Sequence, residues 1–527
     1  MKLSWWLLSA LLVPLAIVGF DAGAQDQKPG KPAKISWQKI VLDKTFRSEG
    51  VAVADVNKDG KLDVIVGDCW YEAPQNPTGE WKRHILREDR KWDPLVYSEA
   101  FACFADDFNG DGYPDVIVIP FPGKPCYWYE NPGAKGGLWK PHLVTNSACN
   151  ETPIYVDLFK TGKKLLVMGW NPLKVEGDLS KGNYDDRGEM CYFVPGKDPT
   201  LPWQRISISG PSTPEKRIPG TARFAHGLGH GDVNGDGRHD IIVPQGWWEQ
   251  PEKIDGTPWK FHATKIGENC ADMHVMDIDG DGKADILSTS AHYYGFWWHQ
   301  QRPGNVFLTQ PLFPAPPMLA RVPNGFKFNK EEQALFAAVT KYREVQKRLP
   351  WRADAALCMK AQDMARLEGD PRKLRFYAKS QNLDDVLSKL GDMNVVAPNL
   401  AVGVGFARGT YVLIVDDVGA FSLPAQTHAL HHVDIDGDGL KDLVTGRRWW
   451  AHGPKGDADP GDPAYLYWFQ AKRGKDGMVS FTPHLIDDDS GVGTQFAIAD
   501  VNGDGWLDII ISNKKGVFVF LQVRAKE

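Results

Sequence analysis

Short apolar runs recur along this chain, each directly after a polar loop rich in Asp and Gly: Val64-Ile-Val66, Val116-Ile-Val-Ile119, Ile241-Ile-Val243, Ile286-Leu287, Leu443-Val444 and Ile509-Ile-Ile511. Runs this short, β-branched and bounded by turn residues, predict buried strands. An aromatic run comes next in each case: Trp70-Tyr-Glu72, Tyr127-Trp-Tyr-Glu130, Trp247-Trp-Glu249, Phe296-Trp-Trp298, Tyr465-Leu-Tyr-Trp-Phe469 and Val517-Phe-Val-Phe520. A segment such as Trp81-Lys-Arg-His84, Trp139-Lys-Pro-His142, Trp203-Gln-Arg-Ile206, Trp259-Lys-Phe-His262 or Phe481-Thr-Pro-His484 ends most units. With the strand that leads into each loop, this makes four short strands per unit. Repeated units of that kind predict an all-β protein, and specifically a β-propeller.

The loops share one nine-residue spelling, with oxygen-bearing side chains at positions one, three, five and nine and glycine at position six. Asp232, Asn234, Asp236 and Asp240 around Gly237 make one copy. The others are Asp55, Asn57, Asp59 and Asp63; Asp107, Asn109, Asp111 and Asp115; Asp277, Asp279, Asp281 and Asp285; Asp434, Asp436, Asp438 and Asp442; and Asp500, Asn502, Asp504 and Asp508. A hard cation such as Ca²⁺ takes about six to eight oxygen ligands from a tightly turned backbone. The Arg238 carbonyl can add a further oxygen, and Gly237 permits the sharp turn. No Glu closes a twelve-residue loop, and a strand follows instead of a helix, so the expectation is up to six structural Ca²⁺ ions held between strands. Six copies in register weigh against the alternative of acidic turns that bind nothing. A seventh copy, from Asp157 through Gly162 to Leu165, keeps its place but few ligands.

Seven loop positions predict seven blades. The last lacks its own Trp-x-x-His strand, and the orphan strand Trp37-Gln-Lys-Ile-Val-Leu42 can fill that place, closing the last blade and removing exposed sheet edges. Loop starts are 45 to 75 residues apart except for the 157 residues between Asp277 and Asp434. That step holds an insertion of roughly a hundred residues, with helical periodicity from Lys330 to Arg343 and from Ala353 to Leu367, then a strand pair near Leu400 and Thr410. The expected division is residues 1–24 as a secretory signal peptide, 25–35 as a linker, 36–313 as blades one to five, 314–420 as an α+β insertion and 421–527 as blades six and seven. The first segment carries a lone Lys2, an apolar run broken by Pro14, and small residues at Ala22 and Ala24. An uncleaved anchor is the alternative there, and no later segment is long and apolar enough to span a bilayer.

The repeats resemble the FG-GAP/VCBS family of calcium-binding propellers. Ala225-His-Gly-Leu-Gly-His-Gly-Asp232 and Gln245-Gly-Trp-Trp-Glu-Gln-Pro251 are similar to the propeller of the fungal aldos-2-ulose dehydratase/isomerase family, which implies a metal-dependent sugar lyase; the second, cupin-like domain of that family has no counterpart. Lys341-Tyr-Arg343, Leu349-Pro-Trp351 and Val402-Gly-Val-Gly-Phe406 resemble the cysteine-rich secretory/antigen-5/pathogenesis-related family. The paired His and Glu of that family's site are not carried over, because no His occurs between Pro311 and Gln426.

In a propeller the innermost strand of each blade lines a central channel. Near its start these blades offer Glu49, Glu99, Glu151, His226, Asp272, His274, His428, His431 and Gln495, with Arg223, His230 and His292 close by. Convergent imidazole and carboxylate groups suit Zn²⁺ or Mn²⁺, and they can serve as general acid and base where neighbours drive their pKa values apart. A polar, water-filled channel is the equal alternative. The Trp pairs 247–248, 297–298 and 449–450 are expected to pack between blades more than to stack on sugar rings.

A net charge of −6 over 527 residues argues against nucleic acid as a partner, since phosphate binding needs a basic face. Seven Cys with no C-x-x-C pair leave disulfide pairing open. No G-x-S-x-G, P-loop or H-E-x-x-H motif occurs. The expectation is therefore a secreted or periplasmic, monomeric calcium-binding propeller, with no membrane span once the signal is removed, acting as a binding or scaffold module for glycan or protein. The alternative is a metal-dependent carbohydrate lyase or isomerase working at the channel with Glu49, Glu99, Glu151, His226, His274 and His428.

Overall fold

The computed structural model describes residues 35–172, 187–213, 215–267, 270–292, 295–312, 329–345, 376–381, 400–407, 410–417, 426–453 and 463–524, with 361 and 457 as single positions. The expected signal peptide and nearly all of the linker lie outside the described residues, as does the helical stretch expected from Ala353 to Leu367 apart from Ala361.

The chain folds into antiparallel four-strand meanders. In the first, Ala52–Ala54, Asp63–Val66, Cys69–Glu72 and Lys82–Ile85 pair in that order. Burial follows the sequence pattern: the apolar strand Asp63–Val66 is buried throughout, whereas Lys82–Ile85 at the outer edge is largely exposed. Four more separate sheets of this kind begin at Ala102–Asp106, Cys149–Val156, Leu430–Val433 and Ala497–Ala499. Their first strands turn inward as a ring. Ala52–Ala54 lies beside Ala102–Asp106 and Ala497–Ala499, Cys149–Val156 lies beside Ala102–Asp106 and Leu228–Gly231, and Cys270–Met276 lies beside Leu228–Gly231 and Leu430–Val433. His431 Nε2 meets the Phe496 carbonyl oxygen at 2.9 Å and joins the remaining neighbours. This is a β-propeller arrangement.

Two features decide how the ring is held. Ile35–Asp43 pairs antiparallel with Gly516–Arg524, from Ile35 opposite Arg524 to Val41 opposite Phe518, so the N-terminal strand is the outer edge of the last sheet. Seven separate sheets are expected, yet the strands from Leu228 to Pro311 form one eight-stranded sheet. Its two halves meet where Leu228–Gly231 runs parallel to Cys270–Met276, with His230 opposite His274. Glycine is the cause. A Cβ on Gly229 would stand 2.3 Å from the Met273 carbonyl oxygen, and one on Gly231 would stand 2.5 Å from Val275 Cγ2. Only a bare backbone can approach to ladder distance there.

Apolar side chains fill the spaces between neighbouring sheets: Ile65 and Trp70 of the first pack with Val116, Val118 and Tyr129 of the second. The Trp that opens an outer strand is part of this seam. Trp139, Trp203 and Trp259 are buried and donate backbone N–H bonds to the carbonyls of Leu86, Val144 and Ile208 in the preceding sheet. The His three positions on serves its own sheet. His84, His142 and His262 stack on Trp70, Trp128 and Trp247, and each meets Glu72, Glu130 or Glu249 at 2.7 Å. Trp247, Trp248 and Trp298 are buried as the packing reading expects, while Trp449 and Trp450 stack on each other half-buried, ring centroids 4.1 Å apart. Six Cys are buried and unpaired, and Cys358 lies outside the described residues. Between Pro311 and Leu430 stand a helix, Lys330–Val345, and a three-stranded sheet of Phe376–Ser380, Thr410–Asp417 and Leu400–Ala407. Among the described residues no helix is long and apolar enough to cross a membrane.

Gly229→Val should destabilise the protein by about 2 kcal/mol or more, because the added side chain overpacks a strand ladder; urea denaturation reads the loss. A second prediction concerns His299, fully buried between the hydroxyls of Ser288 (2.7 Å) and Thr309 (2.9 Å), where burial lowers its pKa to about 4 from 6.5. The folded pKa lies below the unfolded one. The group's contribution is therefore unchanged above pH 6.5 and is lost as pH falls from 6.5 toward 4, by on the order of 3 kcal/mol. His299→Asn should flatten the slope of stability against pH in that window relative to wild type.

Candidate metal centre

Each inner strand carries chemistry of different kinds at its two ends. Its C-terminal end runs into an acidic loop, and its N-terminal end holds the channel-mouth residues. The acidic loops and the mouth cluster therefore occupy opposite ends of the ring.

The loop aspartates build their own turns. In the copy that starts at Asp232, Oδ1 accepts the N–H groups of Gly235 and Asp236 and Oδ2 accepts that of Gly237. The sixth-position glycine is left-handed in all seven copies, for example φ 87° at Gly237 and 81° at Gly162. Even the degenerate copy keeps the bond from Gly162 N–H to Asp157. The ninth aspartate has a separate duty. Asp240 is fully buried, and its two oxygens accept the N–H groups of Val233 and Gln250, both at 2.9 Å. Asp63, Asp115, Asp285, Asp442 and Asp508 repeat this double bond. In two loops the first, third and ninth carboxylates, Asp277, Asp279 and Asp285 or Asp434, Asp436 and Asp442, bring ligand atoms within 4.8 Å of one another. An all-oxygen donor set on a tight turn fits Ca²⁺.

At the other end, backbone bonds bring distant segments together. Glu151 N–H donates to the Ala225 carbonyl, which puts Glu151 beside His226. Arg448 N–H and His428 N–H both donate to the Gln426 carbonyl. Glu151, His226 and His428 thereby place one ligand atom each within 4.8 Å of one another. Glu151 Oε2 stands 3.3 Å from His226 Nε2, 3.9 Å from His428 Nε2 and 3.3 Å from Arg448 Nη1. Arg448 Nη2 lies 3.5 Å from Glu49 Oε1, and the other Glu49 oxygen accepts Ser98 Oγ at 2.8 Å. His292 packs edge-on against His226, ring centroids 4.5 Å apart, and His452 lies 4.6 Å beyond it.

Burial alone would push the Glu151 carboxyl up; the charges of His226 and Arg448 outweigh it and hold the group well below the usual carboxylate range. Burial keeps Glu49 above its ordinary value despite Arg448 and Lys514. Burial also drives His428 well below the usual imidazole range and lowers His292 to about 3. An imidazole kept neutral by burial, as at His428, beside an ionised carboxylate suits Zn²⁺ or Mn²⁺. Several polar atoms here are buried with no hydrogen-bond partner among the described residues: His226 Nε2, both ring nitrogens of His428, Glu49 Oε1, Asn150 Nδ2, and Nε and Nη2 of Arg448. Such orphans are costly. The backbone is strained at the same place. Asn150, Gln426 and Trp450 have φ of 87°, 63° and 58°, and they flank Glu151, His428 and Arg448.

Of the six channel candidates, Glu151, His226 and His428 converge and Glu49 joins them through Arg448. Glu99 does not. Its neighbour Ser98 faces Glu49, and Glu99 turns outward to pair with Lys124 in a surface cleft with Arg87 and Arg90. His274 sits farther along the channel, level with His230, where it meets the Leu430 carbonyl oxygen at 2.8 Å. Sequence reasoning missed Arg448, Ser98 and Asn150. Ser98 and Asn150 carry no motif, and only the fold brings Arg448 to Glu151.

Residues 434–511 match the FG-GAP-like repeat family. No curated protein matches the chain. Among solved structures it is similar to an Agrocybe aegerita lectin that recognises non-reducing terminal N-acetylglucosamine, at 14% identity and TM-score 0.36, over 93% of this chain and 94% of that one. It is also similar to the V. cholerae biofilm matrix protein Bap1, at 11% identity and TM-score 0.35, over 93% and 88%. The rhamnogalacturonan lyase YesW aligns at 12% identity and TM-score 0.36, over 92% and 75%. At these TM-scores none of the three bears on function.

Proposed function

With residues 434–511 matching the FG-GAP-like repeat, and four full copies and one degenerate copy of its acidic loop outside that match, we propose that the whole ring is built from such repeats and serves as a binding module. The eight-stranded sheet counts as two blades that share an inner ladder, which makes seven, with the segment between Pro311 and Leu430 inserted in the ring. The acidic loops hold Ca²⁺ and stabilise the blades. The leader-like residues 1–24 support export to the periplasm or exterior. The ligand, glycan or protein, docks at the end of the channel opposite the acidic loops. The observation that carries this reading is the trio Glu151, His226 and His428, the first and last of them buried, whose unpartnered nitrogens suit one transition-metal ion and a ligand bound to it.

One feature favours a second reading, a metal-dependent lyase or isomerase acting on carbohydrate. Glu49 and Glu151 lie on either side of Arg448 with their pKa values driven in opposite directions. A carboxyl raised above its ordinary value beside one held well below it is the divergence that general acid and base chemistry needs.

Metal content by mass spectrometry tests the metal. Wild type should carry about one Zn or Mn per chain beside several Ca, and His226→Ala/His428→Ala should lose the Zn or Mn while keeping the Ca. Calcium alone in both proteins would sink the reading. Chelation should also lower Tm, with recovery on adding Ca²⁺, because the clustered loop carboxylates repel one another without an ion; an unchanged Tm would remove the structural role of calcium.

A further inference from the structure

The guanidinium of Arg448 is almost fully buried at the centre of the mouth cluster. Its Nη1 is engaged by Glu151. Its side edge, made by Nε and Nη2, has no hydrogen bond among the described residues; Glu49 Oε1 faces Nη2 as an ion pair at 3.5 Å. Two parallel N–H donors on one guanidinium edge match the two oxygens of a carboxylate. Lys514 stands nearby, 4% exposed, its ammonium 4.6 Å from the Tyr97 ring centroid. Burial lowers its pKa to about 8, with Glu49 the chief opposing charge.

The local charge points the same way. Glu49 and Glu151 balance Arg448 and Lys514, so a divalent ion leaves the cluster net positive even with Asp457, whose Oδ1 stands 3.3 Å from His452 Nδ1, counted in. A buried excess of positive charge demands an anion. Orphaned acceptors ask for something more. Glu49 Oε1 and Asp457 Oδ2 are buried without a donor among the described residues. An acid that also carries hydroxyl groups would satisfy both sets.

We propose that this channel-mouth cluster takes a sugar acid, its carboxylate seated on the Nε/Nη2 edge of Arg448 beside the metal and its hydroxyls directed to Glu49 and Asp457. This deepens the metal reading above and rests on it. Arg448 and Lys514 are then the residues that select an acid over a neutral sugar.

The test uses the full chain with its own metals. Metal per chain is measured first. Calorimetry then titrates D-glucuronate and D-gluconate, with D-glucose as the neutral control, onto wild type, Arg448→Lys and Lys514→Met. Both acids should bind and glucose should bind at least about a hundredfold more weakly, because the neutral sugar leaves the buried guanidinium unpaired. Arg448→Lys keeps the charge and loses the paired edge, so it should weaken both acids about tenfold or more with metal content unchanged. Lys514→Met serves as the independent variant if Arg448→Lys lowers Tm, and should weaken the acids several-fold. Glucose binding as well as glucuronate, no binding of either acid, or acid affinity untouched in both variants overturns the proposal. If one Zn or Mn per chain is present in that case, the metal reading stands. Wild-type protein without Zn or Mn overturns both.

Discussion

Everything in this ring hangs on a carboxylate with no solvent around it. The ninth aspartate of each acidic loop is fully buried, and its two oxygens accept one N–H from the loop and one from the far end of the aromatic strand. That double bond fixes where the loop stands over its sheet, and therefore where the inner strand begins its path along the channel. A hydrogen bond to an ionised group is worth about twice a neutral one, but a buried carboxylate is expensive to hold charged. Burial raises Asp63, Asp115, Asp240, Asp442 and Asp508 to about 7. A cation beside them would offset the same cost, so structural bond and metal loop support each other.

The second constraint is polarity along the channel. Hard oxygen donors gather at one end and imidazole nitrogens at the other, separated by the length of an inner strand. The two ends differ in how they are built as well as in chemistry. The loops are self-contained turns made by residues near in sequence. The mouth cluster draws on Glu49, Ser98, Glu151, His226, Arg448 and Lys514, so no single sheet owns it, and its geometry reports on the closure of the ring as a whole.

This difference explains what could be read from sequence. The loop turns were legible, because their carboxylates and their turning glycine sit within nine residues and repeat. The four-strand unit was legible from its apolar and aromatic runs, and so was the partner of Trp37-Gln-Lys-Ile-Val-Leu42. The parallel join between Leu228–Gly231 and Cys270–Met276 was not, because its cause is the missing Cβ of Gly229, a contact across sheets. At the mouth, the offset of Glu151 and His226 within their repeats was informative, but a one-residue change of direction separates Ser98, which faces Glu49, from Glu99, which does not. Arg448 had no readable signal. Only the fold brings it against Glu151, 297 positions earlier.

The clasp between Ile35–Asp43 and Gly516–Arg524 sets the order in which the molecule can be completed. The first of these strands is made before every other strand of the ring, and its partner after them all. Each sheet except the last can form from residues already synthesised, since its strands are consecutive along the chain. The last sheet has to wait with one edge empty while the chain grows past it. Long-range pairing of this kind is slow, because loop closure precedes any reward. Until the final residues arrive, the early strand is an unpaired edge of the sort that invites association with other chains. The growing protein therefore passes through a long interval as an open arc, and the cluster at the channel mouth, which borrows Lys514 from the last sheet, is assembled only when the ring shuts.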